Sequence, residues 1–157
     1  MTKRTLGIDV GLNGAIALVQ DGELVGVVDM PTVTLDRNGK AKRQVSVPEL
    51  VDIIKQFDPN EAYVEKVFAM AGQGVTSVFS FGRSLGVVEG VLTTMKIKTT
   101  LMTPQTWQKG LGMTGGKDGS RARAMELFPE QTALFKRVKD DGRSDAALIA
   151  LWGSKHG

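Results

Sequence analysis

The sequence predicts an α/β fold in which helices flank a mixed five-stranded sheet, with three antiparallel N-terminal strands and two parallel ones. Three strand-like segments follow one another at the N-terminus, and two more alternate with helical segments further along. Short strands joined by tight turns pair antiparallel, whereas the helix in a strand–helix–strand segment provides the crossover that parallel pairing needs. The 157 residues contain no repeat or linker and have the size of one domain. We therefore expect a single domain over residues 1–157.

The first strand ends in an isolated acid. Residues 5–8 are mostly apolar and lead directly into Asp9, and residues 15–19 and 24–28 are strand-like, joined through Asp21-Gly22. An Asp-Gly pair between two apolar runs is a strong hairpin signal. A carboxylate at the end of a buried strand is costly unless it is paired or bound to a cation, so the surroundings of Asp9 need an explanation.

Residues 31–45 are polar and carry four basic side chains. This pattern fits either a solvated loop or a contact with backbone phosphates. The basic residues are Arg37, Lys40, Lys42 and Arg43. The next segment, Ser46 to Glu49, has the pattern of a capping box with a proline in the first turn and predicts a helix that stops at Asp58-Pro59.

A second acid ends a later strand. Residues 62–65 read as a short strand ending in Glu65, and a loop then leads to a long predicted helix over residues 75–95. Glycine costs about 1 kcal/mol per helical position relative to alanine, so three glycines at a spacing of four indicate close approach of another helix, within the domain or across a dimer. They are Gly82, Gly86 and Gly90.

The C-terminal part is predicted to contain one more strand and several helices. The strand covers residues 97–102, and Thr103-Pro104 begins a short helix that runs through Trp107. A glycine-rich basic loop (110–119), a helix (120–127), a basic and then acidic stretch (136–145) and a strongly apolar helix (146–152) follow.

Composition excludes several classes of site. The chain has no cysteine, which rules out disulfides, thiolate zinc sites and a cysteine nucleophile, and its one histidine is the penultimate His156, which disfavours a serine–histidine triad. No uninterrupted apolar run of about 18 residues and no signal-peptide pattern is present, so we expect a soluble intracellular protein without a membrane span. The pI of 9.3 suggests a polyanionic partner.

Four acids stand out together. Asp9 and Glu65 would lie side by side if their strands are adjacent, and Asp141 and Asp145 are four apart near the start of the last helix, on one face. Such carboxylates repel one another unless hard divalent cations such as Mg²⁺ or Mn²⁺ bridge them. Two such ions can activate water and stabilise the leaving oxygen in phosphodiester cleavage. In the alternative reading, Asp141 caps a helix and Glu65 pairs with Lys66, which leaves acids at two strand ends unexplained.

Three segments resemble the metal-binding segments of RuvC-type Holliday-junction resolvases, which belong to the ribonuclease-H-like superfamily. They are Gly7-Ile8-Asp9-Val10-Gly11, Val64-Glu65-Lys66-Val67-Phe68 and Asp141-Gly142-Arg143-Ser144-Asp145-Ala146-Ala147-Leu148. The resemblance extends over essentially the whole chain. It implies a ribonuclease-H-like fold and a Mg²⁺-dependent endonuclease that resolves four-way DNA junctions by paired nicks. It also implies a homodimer, because two strands are cut symmetrically, and a cytoplasmic location in a bacterial cell, with the gene cellular or phage-borne.

The resemblance also implies roles for individual residues. Asp9, Glu65, Asp141 and Asp145 would hold two Mg²⁺ ions, for which Mn²⁺ would substitute, and Lys117 would lie near the scissile phosphate. Phe68 would stack on bases at the opened junction centre, although an ordinary core position fits it equally well. The residues expected to contact DNA are Lys66, Phe68, Lys109, Lys117, Arg121, Lys139 and Arg143.

Two departures from the family pattern leave questions open. The bacterial enzymes commonly space the last two acids three apart, whereas Asp141 and Asp145 are four apart. Asp140 is also available, so the sequence leaves open which of the two neighbours is the third ligand. Trp107 stands near a position where the family often has a basic residue, with Lys109 close by.

Rival readings are weaker or lie within the same fold. An ATP-binding protein of the actin and sugar-kinase type needs two such domains, and a Walker loop fails because Leu111 replaces its first glycine and Asp118 follows Lys117. A DNA-binding module that does not cut would have no need of four acids. A related nuclease acting on flaps, forks or RNA–DNA hybrids is not separated from a resolvase by sequence.

Overall fold

The computed structural model describes residues 2–66, 71–113 and 119–157. Short 3-10 helices span Pro129–Phe135 and Val138–Asp140. The strands in these ranges are β1 (Arg4–Asp9), β2 (Ala15–Gln20), β3 (Glu23–Asp29), β4 (Thr32–Arg37), β5 (Lys40–Val45), β6 (Glu61–Glu65) and β7 (Lys98–Met102). The α-helices are α1 (Val47–Phe57), α2 (Val75–Thr94), α3 (Pro104–Gly110), α4 (Gly119–Leu127) and α5 (Asp141–His156).

The central sheet has the strand order β3-β2-β1-β6-β7. Strands β1, β2 and β3 pair antiparallel, while β6 pairs parallel with β1 and β7 pairs parallel with β6. Parallel neighbours need crossover connections, and α1 and α2 lie in these connections. The predicted mixed five-stranded sheet is therefore confirmed.

Each face of the sheet buries its own apolar core. Leu6 and Ile8 of β1 pack with residues of α1 and α2 on one face, whereas α5 and the C-terminal helices cover the other. Gly7 lies under α5, and a Cβ atom there would come within 2.2 Å of the carbonyl oxygen of Ala146. The backbone of α5 therefore packs directly on β1, and the start of this helix lies near the end of the strand.

Residues 31–45 form a hairpin, so the predicted solvated loop is wrong. Strands β4 and β5 pair antiparallel in a separate two-stranded sheet, with Arg37 opposite Lys40. The connecting Asn38 and Gly39 both have positive φ, 54° and 77°, as a type I′ turn requires. The Asn-Gly pair was the signal for this hairpin, and the polar composition of its strands hid it, because most of their residues are exposed and only Val45 among them joins the core.

Two helix starts differ from the prediction. Helix α1 begins after Ser46 as expected, but the Ser46 side chain makes no capping hydrogen bond, so the predicted capping box does not form. Helix α5 begins at Asp141 rather than at Ala146, because its first turn is polar and its apolar pattern starts only in the second turn. Asp141 and Asp145 consequently lie on one continuous helix.

The glycine face of α2 is open. A Cβ atom at Gly82, Gly86 or Gly90 would meet no atom within 4 Å, so no other helix in the described part of the chain packs closely on it. By length and composition α2 could also cross a membrane. This differs from the expectation of no membrane span, because α2 is apolar on average but contains no long uninterrupted apolar run. This evidence is weak: Val88 and Leu92 of α2 pack in the core, as in a core helix of a globular domain.

Candidate active site

Asp9 and Glu65 lie at the same edge of the sheet. Strands β1 and β6 are parallel neighbours with Ile8 opposite Val64. Asp9 and Glu65 are the next residues of these strands, so they lie side by side. The Asp9 carboxylate accepts a hydrogen bond from the backbone N–H of Gly11 at 3.2 Å. Burial raises the pKa of Asp9, and the Asp141 charge raises it further, while the Gly11 N–H opposes the rise.

Trp107 holds the side chain of Glu65. Its indole N–H donates to Glu65 Oε2 at 3.0 Å, and the ring is fully buried on α3. Burial, with a contribution from the Asp9 charge, raises the pKa of Glu65 to about 7, although the Trp107 hydrogen bond opposes this rise. Among the described residues no ion pair joins Lys66 to Glu65, so the structure does not support the alternative in which Lys66 neutralises Glu65.

The first turns of α5 supply the other two acids. Asp141 is exposed at the helix start, whereas Asp145, one turn later, is partly buried. Burial raises the pKa of Asp145 to about 7, a side-chain hydrogen bond with Ser120 opposes the rise, and the charges of the other three acids add to it. The four carboxylates predicted from the sequence therefore lie within electrostatic reach of one another.

A glycine sets the position of this helix start. A Cβ atom on Gly142 would lie 2.3 Å from the carbonyl oxygen of Asn13, in the loop after β1. Real Cβ atoms do not approach so closely, so only glycine lets α5 begin against this loop. Gly142 lies within the motif over residues 141–148, but its role was not predicted, because it depends on contact with the distant Asn13.

The structure separates the roles of Asp140 and Asp141. Asp140 is 1% exposed and accepts hydrogen bonds from the backbone and guanidinium of Arg137 at 2.9–3.2 Å. These bonds hold the pKa of Asp140 below its ordinary value. The charge of Asp141 instead raises the pKa of Asp9, and Asp141 Oδ1 accepts a hydrogen bond from the backbone N–H of Gly142 at 2.9 Å. The geometry thus makes Asp140 structural and places Asp141 with the other acids. The alternative in which Asp141 caps the helix is wrong, because the N-cap of α5 is Asp140 and no side chain makes a capping hydrogen bond there.

The four-acid site has the chemistry of a hard-cation site. Within the described ranges, no ion pair joins any of the four acids to a lysine or arginine. In the same ranges, no three acidic or histidine side chains are already arranged as a coordination sphere, which accords with like charges that repel. Because all the donors are carboxylate oxygens, the residues fit Mg²⁺ or Mn²⁺ rather than a soft metal.

The predicted DNA-contacting residues fall into three groups. Lys66, Lys109 and Lys139 are exposed. Arg121 and Arg143 have internal partners: Arg121 Nη1 donates to the Lys136 carbonyl at 2.7 Å, and Arg143 donates to both carboxylate oxygens of Asp29 at 2.8 and 3.0 Å. Phe68 and Lys117 lie outside the described residues. The DNA contacts stay predictions.

Comparison with known sequences identifies the family. The model for "Crossover junction endodeoxyribonuclease RuvC" matches residues 5–152. A protein of that name from Prochlorococcus marinus (strain NATL1A) is 27% identical over 158 aligned positions, covering 96% of this chain and 97% of that protein. The chloroplastic Holliday junction resolvase MOC1 of Chlamydomonas reinhardtii is 37% identical over 92 residues, 57% of this chain but 10% of that protein.

Solved structures confirm the fold. The chain is similar to Thermus thermophilus RuvC in complex with a Holliday junction substrate, with a TM-score of 0.65, 14% identity and coverage of 98% and 94% of the two chains. Its TM-score with the yeast mitochondrial Holliday junction resolvase Ydc2 is 0.60, at 18% identity and coverage of 98% and 81%. The family model's match over residues 5–152 confirms the family and the junction-nuclease function predicted from the sequence. The chain belongs to the RuvC family of crossover junction endodeoxyribonucleases.

Proposed function

We propose that this chain resolves four-way DNA junctions by divalent-metal-dependent hydrolysis of phosphodiester bonds, acting as a homodimer. The observation that carries the proposal is the convergence of four carboxylates, two from adjacent strand ends and two from one helix face. No lysine or arginine among the described residues forms an ion pair with any of them. Ionised carboxylates at such a site repel one another, and a bound cation relieves this repulsion. A module that merely holds branched DNA would be weakened by such charges near the phosphates.

Asp9, Glu65, Asp141 and Asp145 would hold the metal ions, two Mg²⁺ per site. Bound ions of this kind supply an activated water for in-line attack and positive charge for the departing oxygen. Glu65 and Asp145, whose pKa values are about 7, must lose their protons to become ligands. Trp107 orients Glu65 through its N–H bond, so its part is positioning.

Further roles follow the family resemblance. Lys117 would neutralise charge on the phosphate, and Phe68 would stack on bases at the junction centre. Exposed basic side chains would hold the DNA backbones, which predicts strong weakening of binding with salt. The proposed location is the cytoplasm of a bacterial cell, with the gene cellular or phage-borne.

An open apolar surface supports the homodimer. A groove of about 560 Å³ runs between α1 and the glycine face of α2. Its walls include Val47, Val51, Val87 and Val91, beside the exposed Gly86 and Gly90. A symmetric junction has two strands to cut, and a two-fold dimer would present one four-acid site to each.

A cleavage assay tests the proposed activity. We would incubate wild type and Asp9→Asn with a labelled four-way junction, a linear duplex, a flap and an RNA–DNA hybrid, each with Mg²⁺ and with chelator. Paired symmetric nicks in the junction that require both metal and Asp9 are expected. Cutting of flaps or hybrids instead would show that the proposed substrate is wrong. Tight junction binding without cleavage under any metal would show that the protein is a binding module.

A further inference from the structure

A cleft adjoins the four-acid site. It has a volume of about 620 Å³, with Asp9 and Asp141 in its lining, and lies between the β4–β5 hairpin and the N-terminal half of α2. Arg37, Lys42, Phe79, Phe81 and Arg83 also line it. One concave surface therefore carries two of the proposed metal ligands together with two aromatic rings and four cations, the fourth being Arg43.

The hairpin turns one face toward this cleft. Side chains alternate between the faces of a strand, and in the β4–β5 register Leu35 is opposite Lys42. Leu35, Arg37 and Lys42 line the cleft, as expected for residues on the same face. Arg37 and Lys42 are exposed, and neither forms an ion pair with a carboxylate in the described part of the chain. They present positive charge that no described acid neutralises.

Arg83 adds an unsatisfied donor. Its Nη1 atom is buried and has no hydrogen-bond partner among the described residues. A buried donor without a partner is destabilising, so such a group in a native fold calls for an explanation. Because Arg83 lines the same cleft as Arg37 and Lys42, an anion there would supply the missing acceptor.

The hairpin is anchored to the loop that follows Asp9. Arg43 donates to Asn13 Oδ1 at 3.1 Å and to the Leu12 carbonyl at 3.0 Å. On the other wall, Phe81 lies next to that loop, with a ring carbon 3.6 Å from where a Cβ atom on Gly11 would be. These contacts set both walls of the cleft relative to Asp9, as a substrate subsite beside the reacting phosphate requires.

Exposed aromatic rings identify the ligand class. Phe79 is 73% exposed and Phe81 38% exposed, although both belong to the apolar α2. Cations that follow a backbone, interleaved with rings on which bases stack, are typical of surfaces that bind single-stranded nucleic acid. A duplex in this cleft would offer phosphates but no free base faces, so the rings favour unpaired nucleotides.

We propose that this cleft binds unpaired nucleotides of the strand being cut, next to the scissile phosphate. Arg37, Lys42 and Arg83 contact successive phosphates, and Phe79 stacks on a base. The inference rests on the proposed function, because the four-acid site defines where the cut falls. It adds a subsite built largely from a hairpin that lies outside the central sheet.

Binding measurements test the cation part. We would measure the affinity of wild type, Arg37→Ala/Lys42→Ala and the control Lys98→Ala/Lys155→Ala for a labelled four-way junction, by anisotropy in chelator from about 50 to about 200 mM salt. The hairpin variant should bind about tenfold more weakly, with a log–log salt slope smaller by about 2, and the control should match wild type. Equal affinities and slopes for the two double variants would overturn the inference. Thermal unfolding should show that both remain folded.

Base stacking is tested with a fluorescent base. A junction carrying 2-aminopurine beside the cut should be quenched by wild type and by Phe79→Trp, but much less by Phe79→Leu, which keeps the apolar surface without the ring. Equal quenching by the leucine variant would remove Phe79 from the subsite. These measurements need no cleavage, so they test the subsite even if the nuclease proposal fails. If wild type cleaves junctions but the hairpin and Phe79 variants bind them as wild type does, only the subsite is refuted.

Discussion

Replacing Glu65 by glutamine should stabilise the fold while abolishing activity. The pKa of Glu65 rises from 4.5 to about 7 on folding, and a rise of this size means that burial disfavours the ionised carboxylate by about 3 kcal/mol. A carboxyl group that binds its proton more tightly in the folded state weakens the fold as it ionises. Wild-type stability should therefore fall between pH 4.5 and about 7. Since an amide also resists burial, we expect a gain of about 1–3 kcal/mol at pH 8.

Urea unfolding followed by tryptophan fluorescence measures this effect. Wild type and Glu65→Gln are compared in chelator at pH 8 and below pH 4.5, with Glu126→Gln as control, since Glu126 is exposed and pairs with Arg123. The gain should be absent at the lower pH and absent in the control, and Mg²⁺ should stabilise wild type more than the variant at pH 8. If Glu65→Gln lowers stability at pH 8, then Glu65 is not a repelled, desolvated carboxylate and the reasoning fails.

Four further predictions concern the same site. Asp9→Asn should reduce junction cleavage by at least about 10³-fold with nearly unchanged binding in chelator; loss of binding in an anisotropy assay would contradict a purely catalytic role. Cleavage at subsaturating Mg²⁺ should increase with pH through about 7, because Glu65 must ionise to bind metal. Trp107→Phe removes a hydrogen bond that favours the charged form, so it should move that pH profile upward, and an unmoved profile would exclude this positioning role. Gly142→Ala should destabilise the protein by about 1–3 kcal/mol, measured by urea unfolding, whereas an unchanged midpoint would show that the helix start yields easily.

Most of the sheet was predictable because its signals are local. Apolar runs, an Asp-Gly turn and strand–helix alternation appear within short windows of sequence, and they indicated the five central strands. The β4–β5 hairpin was not recognised, because polar residues dominate its strands and its clearest signal is the Asn38-Gly39 turn. The start of α5 was placed too late for a similar reason, since apolar periodicity does not extend into its first turn.

The sequence alone determined the order of the five central strands, the family and the four candidate acids, because an acid that directly follows an apolar strand is visible without coordinates. Tertiary structure alone separated Asp140 from Asp141, since the difference lies in the arginine partners of one and the acidic neighbours of the other. It also revealed that Trp107 holds Glu65 from 42 residues away. Such roles depend on which distant segments the fold brings together and on how much water they exclude, and neither property is encoded in any short stretch of the chain.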